Sequence, residues 1–246
     1  MNDTNPTAGS GEEKYYQSQN QRAKKMLLYL AIFSMIMFFA GLTSAYVVLM
    51  QGEFWVDIAI PTAFFYSTGI ILVSSLTIKL AVDASKKGDQ QRLRMMVILT
   101  LLLGFAFAVS QFQGWKQLIA IGSHVSGNIE SLSGEYGTDF TVIFKGQELV
   151  MEDGKYYFPD DYQRTESLNE RVEGKSNTAS SFIYALSALH LVHLAGGLLY
   201  LIYLAFKTYR VQITAQNNLA VKQAATYWHF LDILWLYLFL FLLFIH

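Results

Sequence analysis

The stretch MLLYLAIFSMIMFFAGLTSAYVVLM, Met26 to Met50, runs for 25 residues without a charged side chain or a histidine, and its reading decides the fold. A helix needs roughly 20 apolar residues to cross about 30 Å of hydrocarbon. Four further runs meet that requirement, at 58–78, 95–115, 179–206 and 224–246. Backbone groups in lipid must pair within their own segment unless a barrel closes, and no run shows the alternation of a barrel strand. The sequence therefore predicts an all-α integral membrane protein, a bundle of five transmembrane helices. Pro61 falls in the first turn of the second helix, where its missing N–H costs nothing.

Composition agrees. Of 246 residues, 53% are hydrophobic and only 15% charged, too few to cover a soluble domain of this size. A net charge of -1 offers no basic field for nucleic acid. Cysteine is absent, which excludes disulfides, thiolate metal sites and cysteine nucleophiles. Residues 1–22 are polar, without apolar periodicity, and read as a mobile cytoplasmic tail. A secretory signal is disfavoured because the apolar run that follows exceeds the roughly 7–15 residues of such a core. The membrane domain is 23–246.

Lys and Arg gather before the first helix, after the second and between the fourth and fifth, all on one side. The positive-inside rule makes that side cytoplasmic, with the N-terminus inside and the C-terminus outside. Trp55 and Trp115 read as interfacial aromatics on the outer face, Tyr227 and Trp228 on the inner one. The third and fourth helices are joined by a long periplasmic insertion, 116–178, with eleven carboxylates against six Lys or Arg. Within it FTVIF (Phe140–Phe144), ELVM (Glu148–Met151) and KYYF (Lys155–Phe158) are separated by turns at Gly146 and Gly154, which predicts a small antiparallel meander. So small a sheet buries little alone, so the expectation is that it rests on neighbouring protein.

The informative polar residues lie inside the spans: His190 and His193 in the fourth, His229 and Asp232 in the fifth. Each pair is three apart and shares a helix face, expected to point inward, since a mid-membrane Asp costs about 2.5–3.5 kcal/mol. Axial ligation of a haem needs two imidazoles at one depth. Counting about 1.5 Å per residue, the first pair lies roughly 20–24 Å from the cytoplasmic ends and His229 about 7 Å. A metal site lacks further ligands in the first three helices, and a proton relay needs more staggered acids than Asp232. The favoured reading is structural: these groups hydrogen-bond across helices, to Ser67, Thr68, Ser74, Ser75 or Tyr29, with no cofactor, metal or catalytic residue in the chain.

YWHFLDILWLYLF (Tyr227–Phe239) and SFIYALSALHLVHLAGG (Ser181–Gly197) together resemble the signature helices of cytochrome c oxidase subunit III, in the five-helix bacterial form of the haem-copper oxidase family. Tyr227, Trp228, Phe230 and Trp235 carry the first motif; FFAGLTSAY from Phe38, with Gly41, and FAFAVSQFQGW from Phe105 are similar to two further family helices. The resemblance implies a non-catalytic subunit without haem or copper that packs on subunit I, binds phospholipid and supports a complex coupling electron transfer from cytochrome c to oxygen with proton pumping. Related accessory subunits of nitric oxide reductases share the pattern, and a stand-alone transporter would require internal repeats that are not visible. Met35 and Gly114 stand where many family members carry glutamate, so roles tied to those carboxylates are absent here, and the insertion 116–178 departs from the short family connection; within such a complex in a bacterial inner membrane the expectation is that it docks on a periplasmic partner, such as a cytochrome c domain or a neighbouring respiratory complex.

Overall fold

The computed structural model describes residues 7–210, 213 and 217–245, with side chains from Tyr15 onward apart from 17 and 18. Residues 1–6 of the predicted tail and His246, the end of the fifth predicted span, lie outside the described residues. Among the described residues five helices are long and apolar enough to cross a membrane: α1 (Thr7–Met50), α2 (Thr62–Lys87), α3 (Gln90–Ala120), α5 (Thr178–Tyr209) and α6 (Leu219–Phe244). The protein is a multi-pass membrane protein. Between them come β1 (Phe54–Ile58), β2 (Phe140–Phe144), β3 (Gln147–Glu148), β4 (Val150–Glu152), β5 (Lys155–Tyr157) and the one-turn α4 (Asn169–Val172).

Most helices overrun the apolar stretches. α1 begins at Thr7, so from there on the segment read as a mobile tail is helix. Extending a nucleated helix costs little, and Gln, Lys, Arg, Glu and Ala are good helix formers. Chemistry sets the limits. α2 stops at Gly88, whose φ of 74° suits glycine and whose N–H returns to Ala84 O and Ser85 O. Asp89 then caps α3 by accepting from Arg92 N at 3.0 Å. α2 begins at Thr62 rather than 58, so Pro61, expected within the first turn, sits at the N-cap instead.

α6 is the centre of the bundle and α1 its periphery: half of the most apolar window of α6 is buried, against 17% for α1. α1 is held near the sheet-bearing end. Tyr46 stacks edge-on against Trp55, Phe182 and Phe241, and the Thr43 and Tyr237 hydroxyls meet at 2.8 Å.

The insertion forms the expected antiparallel strands and turns, but they divide between two sheets. β2 pairs antiparallel with β1, from the α1–α2 connection, in the register Phe54 to Phe144 and Ile58 to Phe140, and with β3 on its other side. β4 and β5 form a separate ribbon. Both tight turns have two successive positive φ values, at Lys145–Gly146 and Asp153–Gly154, the mirror-image turn that matches strand twist. The premise that the sheet lacks a core of its own is corrected. Val56, Ile58, Phe140, Val142, Phe144 and Leu149 are buried in the chain's own hydrophobic core. Ser180 Oγ donates to His124 O at 2.9 Å and Ser181 Oγ to Val125 O at 2.6 Å, tying the loop after α3 to the first turn of α5. The expectation of a periplasmic docking partner loses its motive.

Candidate functional site

The polar residues of α6 meet α2 along most of its length. Trp228 Nε1 donates to Ser74 Oγ at 2.9 Å and Trp235 Nε1 to Thr68 Oγ1 at 3.0 Å. Between them the Ser75 hydroxyl lies 2.7 Å from His229 Nδ1. Residues 228, 232 and 235 repeat at helical spacing, so Asp232 shares a face with the two tryptophans. α3 joins from the other side: Gln111 Nε2 donates to Ser67 Oγ at 2.8 Å, Ser110 Oγ to Ala63 O at 2.8 Å, and the Thr77 and Thr100 hydroxyls meet at 2.8 Å.

Each predicted residue has a definite place. His190 is fully buried, its ring 5.2 Å from that of Trp235 and 5.7 Å from that of Phe107. Asp232 is buried, with Oδ2 at 3.8 Å from His229 Nδ1, beyond hydrogen-bond reach. His193 is only half-buried; its Nδ1 donates to Leu189 O at 2.7 Å, and its own carbonyl accepts from Tyr227 Oη at 3.0 Å. His229 and Phe230 are half-buried too, and Gly41 is exposed on α1. Trp228, read as interfacial, is instead in the bundle interior, against Gly104: a Cβ there would stand 2.7 Å from the indole. Trp55 is buried in β1 beside Tyr46, and Trp115 donates Nε1 to Ser187 Oγ at 2.9 Å.

The serine, histidine and aspartate near α2 do not form a nucleophilic triad, because Ser75 and Asp232 both approach the same ring nitrogen of His229. Nor do the histidines converge. Trp235 is level with His190, and His229 lies six residues back, about 9 Å along the axis. Among the described residues no group of three or more His, Cys, Asp or Glu gathers as a metal would need. Of the hydroxyls expected to serve the histidines and Asp232, only Ser75 does so by a hydrogen bond; Thr68 and Ser74 take indole donors, and Tyr29 is exposed. The missed signal was the tryptophan N–H, which needs an acceptor whenever the ring is buried.

Outside the spans the electrostatics belong to the sheet. Burial pushes the Asp57 carboxyl above its usual value, and Glu148 adds to the effect. Tyr156 is pushed up to about 12, chiefly by burial. Arg164 grips Glu152 through two hydrogen bonds, of 2.7 and 3.0 Å, which hold that carboxyl below its usual value.

Comparison with known proteins points to one family. Residues 161–246, which contain α5 and α6, match the family model described as cytochrome c oxidase subunit III. The "Probable cytochrome c oxidase subunit 3" of Nocardia farcinica is 26% identical over 84% of this chain and 80% of its own length. Its namesake in Mycobacterium leprae is 25% identical over 86% and 83%. The cytochrome bo(3) ubiquinol oxidase subunit 3 of Pseudomonas aeruginosa is 27% identical over 70% of this chain and 59% of its own. With five apolar helices and the YWHFLDILWL motif at the centre of their packing, the chain is similar to cytochrome c oxidase subunit III and its ubiquinol oxidase counterpart, most of all in α5 and α6.

Proposed function

We propose that the chain is a non-catalytic, cofactor-free subunit III of a bacterial haem-copper terminal oxidase, packed on subunit I in the inner membrane with its N-terminal side in the cytoplasm. The observation that carries this reading is the use made of the polar groups in the family-matched helices: Trp228, His229 and Trp235 bond to hydroxyls of α2, an arrangement that joins helices. Electron transfer to oxygen and proton pumping then belong to the whole complex in aerobic respiration. Of the four polar residues, His229 joins two helices by its own side chain, while His190, His193 and Asp232 pack beside these contacts.

Phospholipid binding is part of the proposal. A cleft of about 1070 Å³ opens between the N-terminal half of α1 and the facing ends of α5 and α6, lined by Lys24, Leu27, Tyr200, Tyr203, Lys207 and Tyr227. Two ammonium groups beside apolar walls suit an anionic headgroup with its acyl chains. A quinol as electron donor in place of cytochrome c is the second reading, favoured by the ubiquinol oxidase relative.

The test is purification of the tagged chain from its native membrane in mild detergent, with identification of partners and an absorption spectrum. A co-purifying haem-bearing subunit I is expected, oxidising either cytochrome c or quinol. A chain that purifies without such a partner, or that holds stoichiometric haem when isolated, overturns the proposal.

A further inference from the structure

Among the described residues, three polar side chains deep in the bundle have atoms without a hydrogen-bond partner: both ring nitrogens of His190, both carboxyl oxygens of Asp232, and Oε1 of Gln111. A neutral imidazole always presents one donor and one acceptor. Around His190 the ring neighbours are Phe107 and Trp235, and the Trp235 N–H is already given to Thr68. Buried polar atoms in folded proteins are nearly always paired, with protein or with ordered water.

The three groups are stacked. Trp235 and Phe107 touch each other at 5.2 Å and both touch His190. Asp232 lies three residues before Trp235, about 4.5 Å along α6, and Gln111 four residues beyond Phe107, about 6 Å along α3. The residues thus occupy consecutive turns of one interior, in the order Asp232, His190, Gln111. At one end stands the Ser75–His229 pair, whose imidazole is 35% exposed and so borders the outside of the bundle. At the other, Gln111 continues to Ser67.

We propose that this interior holds a short file of ordered water entering beside His229 and bridging Asp232, His190 and Gln111. A buried water makes about three hydrogen bonds to otherwise unsatisfied polar groups, and the His190 nitrogens, the Asp232 oxygens and Gln111 Oε1 are such groups. The arrangement depends only on the packing of α2, α3, α5 and α6, and not on which oxidase the chain serves. It gives Asp232 contact with solvent that direct protein contacts do not provide.

The test is a high-resolution density map of the purified complex. Expected is at least one water peak within about 3.2 Å of a His190 nitrogen and another beside Asp232. A map in which only carbon surrounds His190, or in which its nitrogens bond directly to protein atoms, overturns the proposal. In His190→Phe the first peak should vanish while the Trp235–Thr68 hydrogen bond persists; a peak that remains also overturns it. If that variant does not assemble, the unaltered complex decides alone.

Discussion

The ring of Phe64 occupies the space that a Cβ on residue 114 would need, its Cδ1 falling 2.7 Å from that position. Gly114 is where the family resemblance places a glutamate, so α2 and α3 approach here at a distance a carboxylate would forbid. Gly114→Ala should cost on the order of 1–3 kcal/mol by overpacking, and Gly114→Glu should release the subunit from its complex. Thermal melting and subunit content after purification check both. A glutamate variant of unchanged stability would show that Phe64 moves aside freely.

Trp235 is held by a hydrogen bond and by three rings, and the two contributions separate. Thr68→Val removes only the acceptor, and membrane hydrogen bonds average about 0.6 kcal/mol. Trp235→Ala removes the whole side chain, for which core truncations give about 3–5 kcal/mol. Retention of the subunit along a detergent or temperature series should rank the variants in that order.

Asp57 makes the stability of the sheet depend on pH. Its folded-state carboxyl titrates above the ordinary value because burial and, secondarily, Glu148 disfavour the charge. The stabilisation is therefore complete below the unfolded value of 3.8 and is lost as pH rises through the folded one. Asp57→Asn should protect the sheet from proteolysis at neutral pH, with a benefit that shrinks on acidification toward pH 4. An equal benefit at all pH values would contradict the burial argument.

Asp232→Leu should change packing and leave chemistry alone. The expected shift in the stability of the assembled subunit is small, about 1 kcal/mol or less, because no direct hydrogen bond to protein is lost, with oxygen consumption per haem unchanged. A variant complex with full subunit content and a selective loss of oxygen reduction would give Asp232 a role the geometry does not.

The five spans were legible because an uncharged run such as Met26–Met50 has no other stable form in water or lipid. Their ends were not, since Lys86 and Lys87 are helix formers and only Gly88 stops the chain. β1 was hidden for another reason. FWVDI is five residues in a short connection, and it becomes a strand only because β2, more than eighty residues later, pairs with it. The inward placement of His190 and Asp232 follows from the cost of polarity in lipid, but the hydroxyls of α2 had several claimants. Which of Thr68, Ser74 and Ser75 met a tryptophan and which a histidine depended on helix rotation, a tertiary quantity that spacing along one chain does not contain.

The pairing of β1 with β2 imposes an order on biosynthesis. As the ribosome extends the chain, Phe54 to Ile58 reach the far side of the bilayer early, flanked by two inserted helices, and must wait there with open edges. Their complement crosses only after α3 has threaded and much of the following insertion has been exported. Closure of that ladder seals the α1–α2 corner, so a nascent chain truncated before residue 140 would carry its first three helices without the stitch that fastens them together.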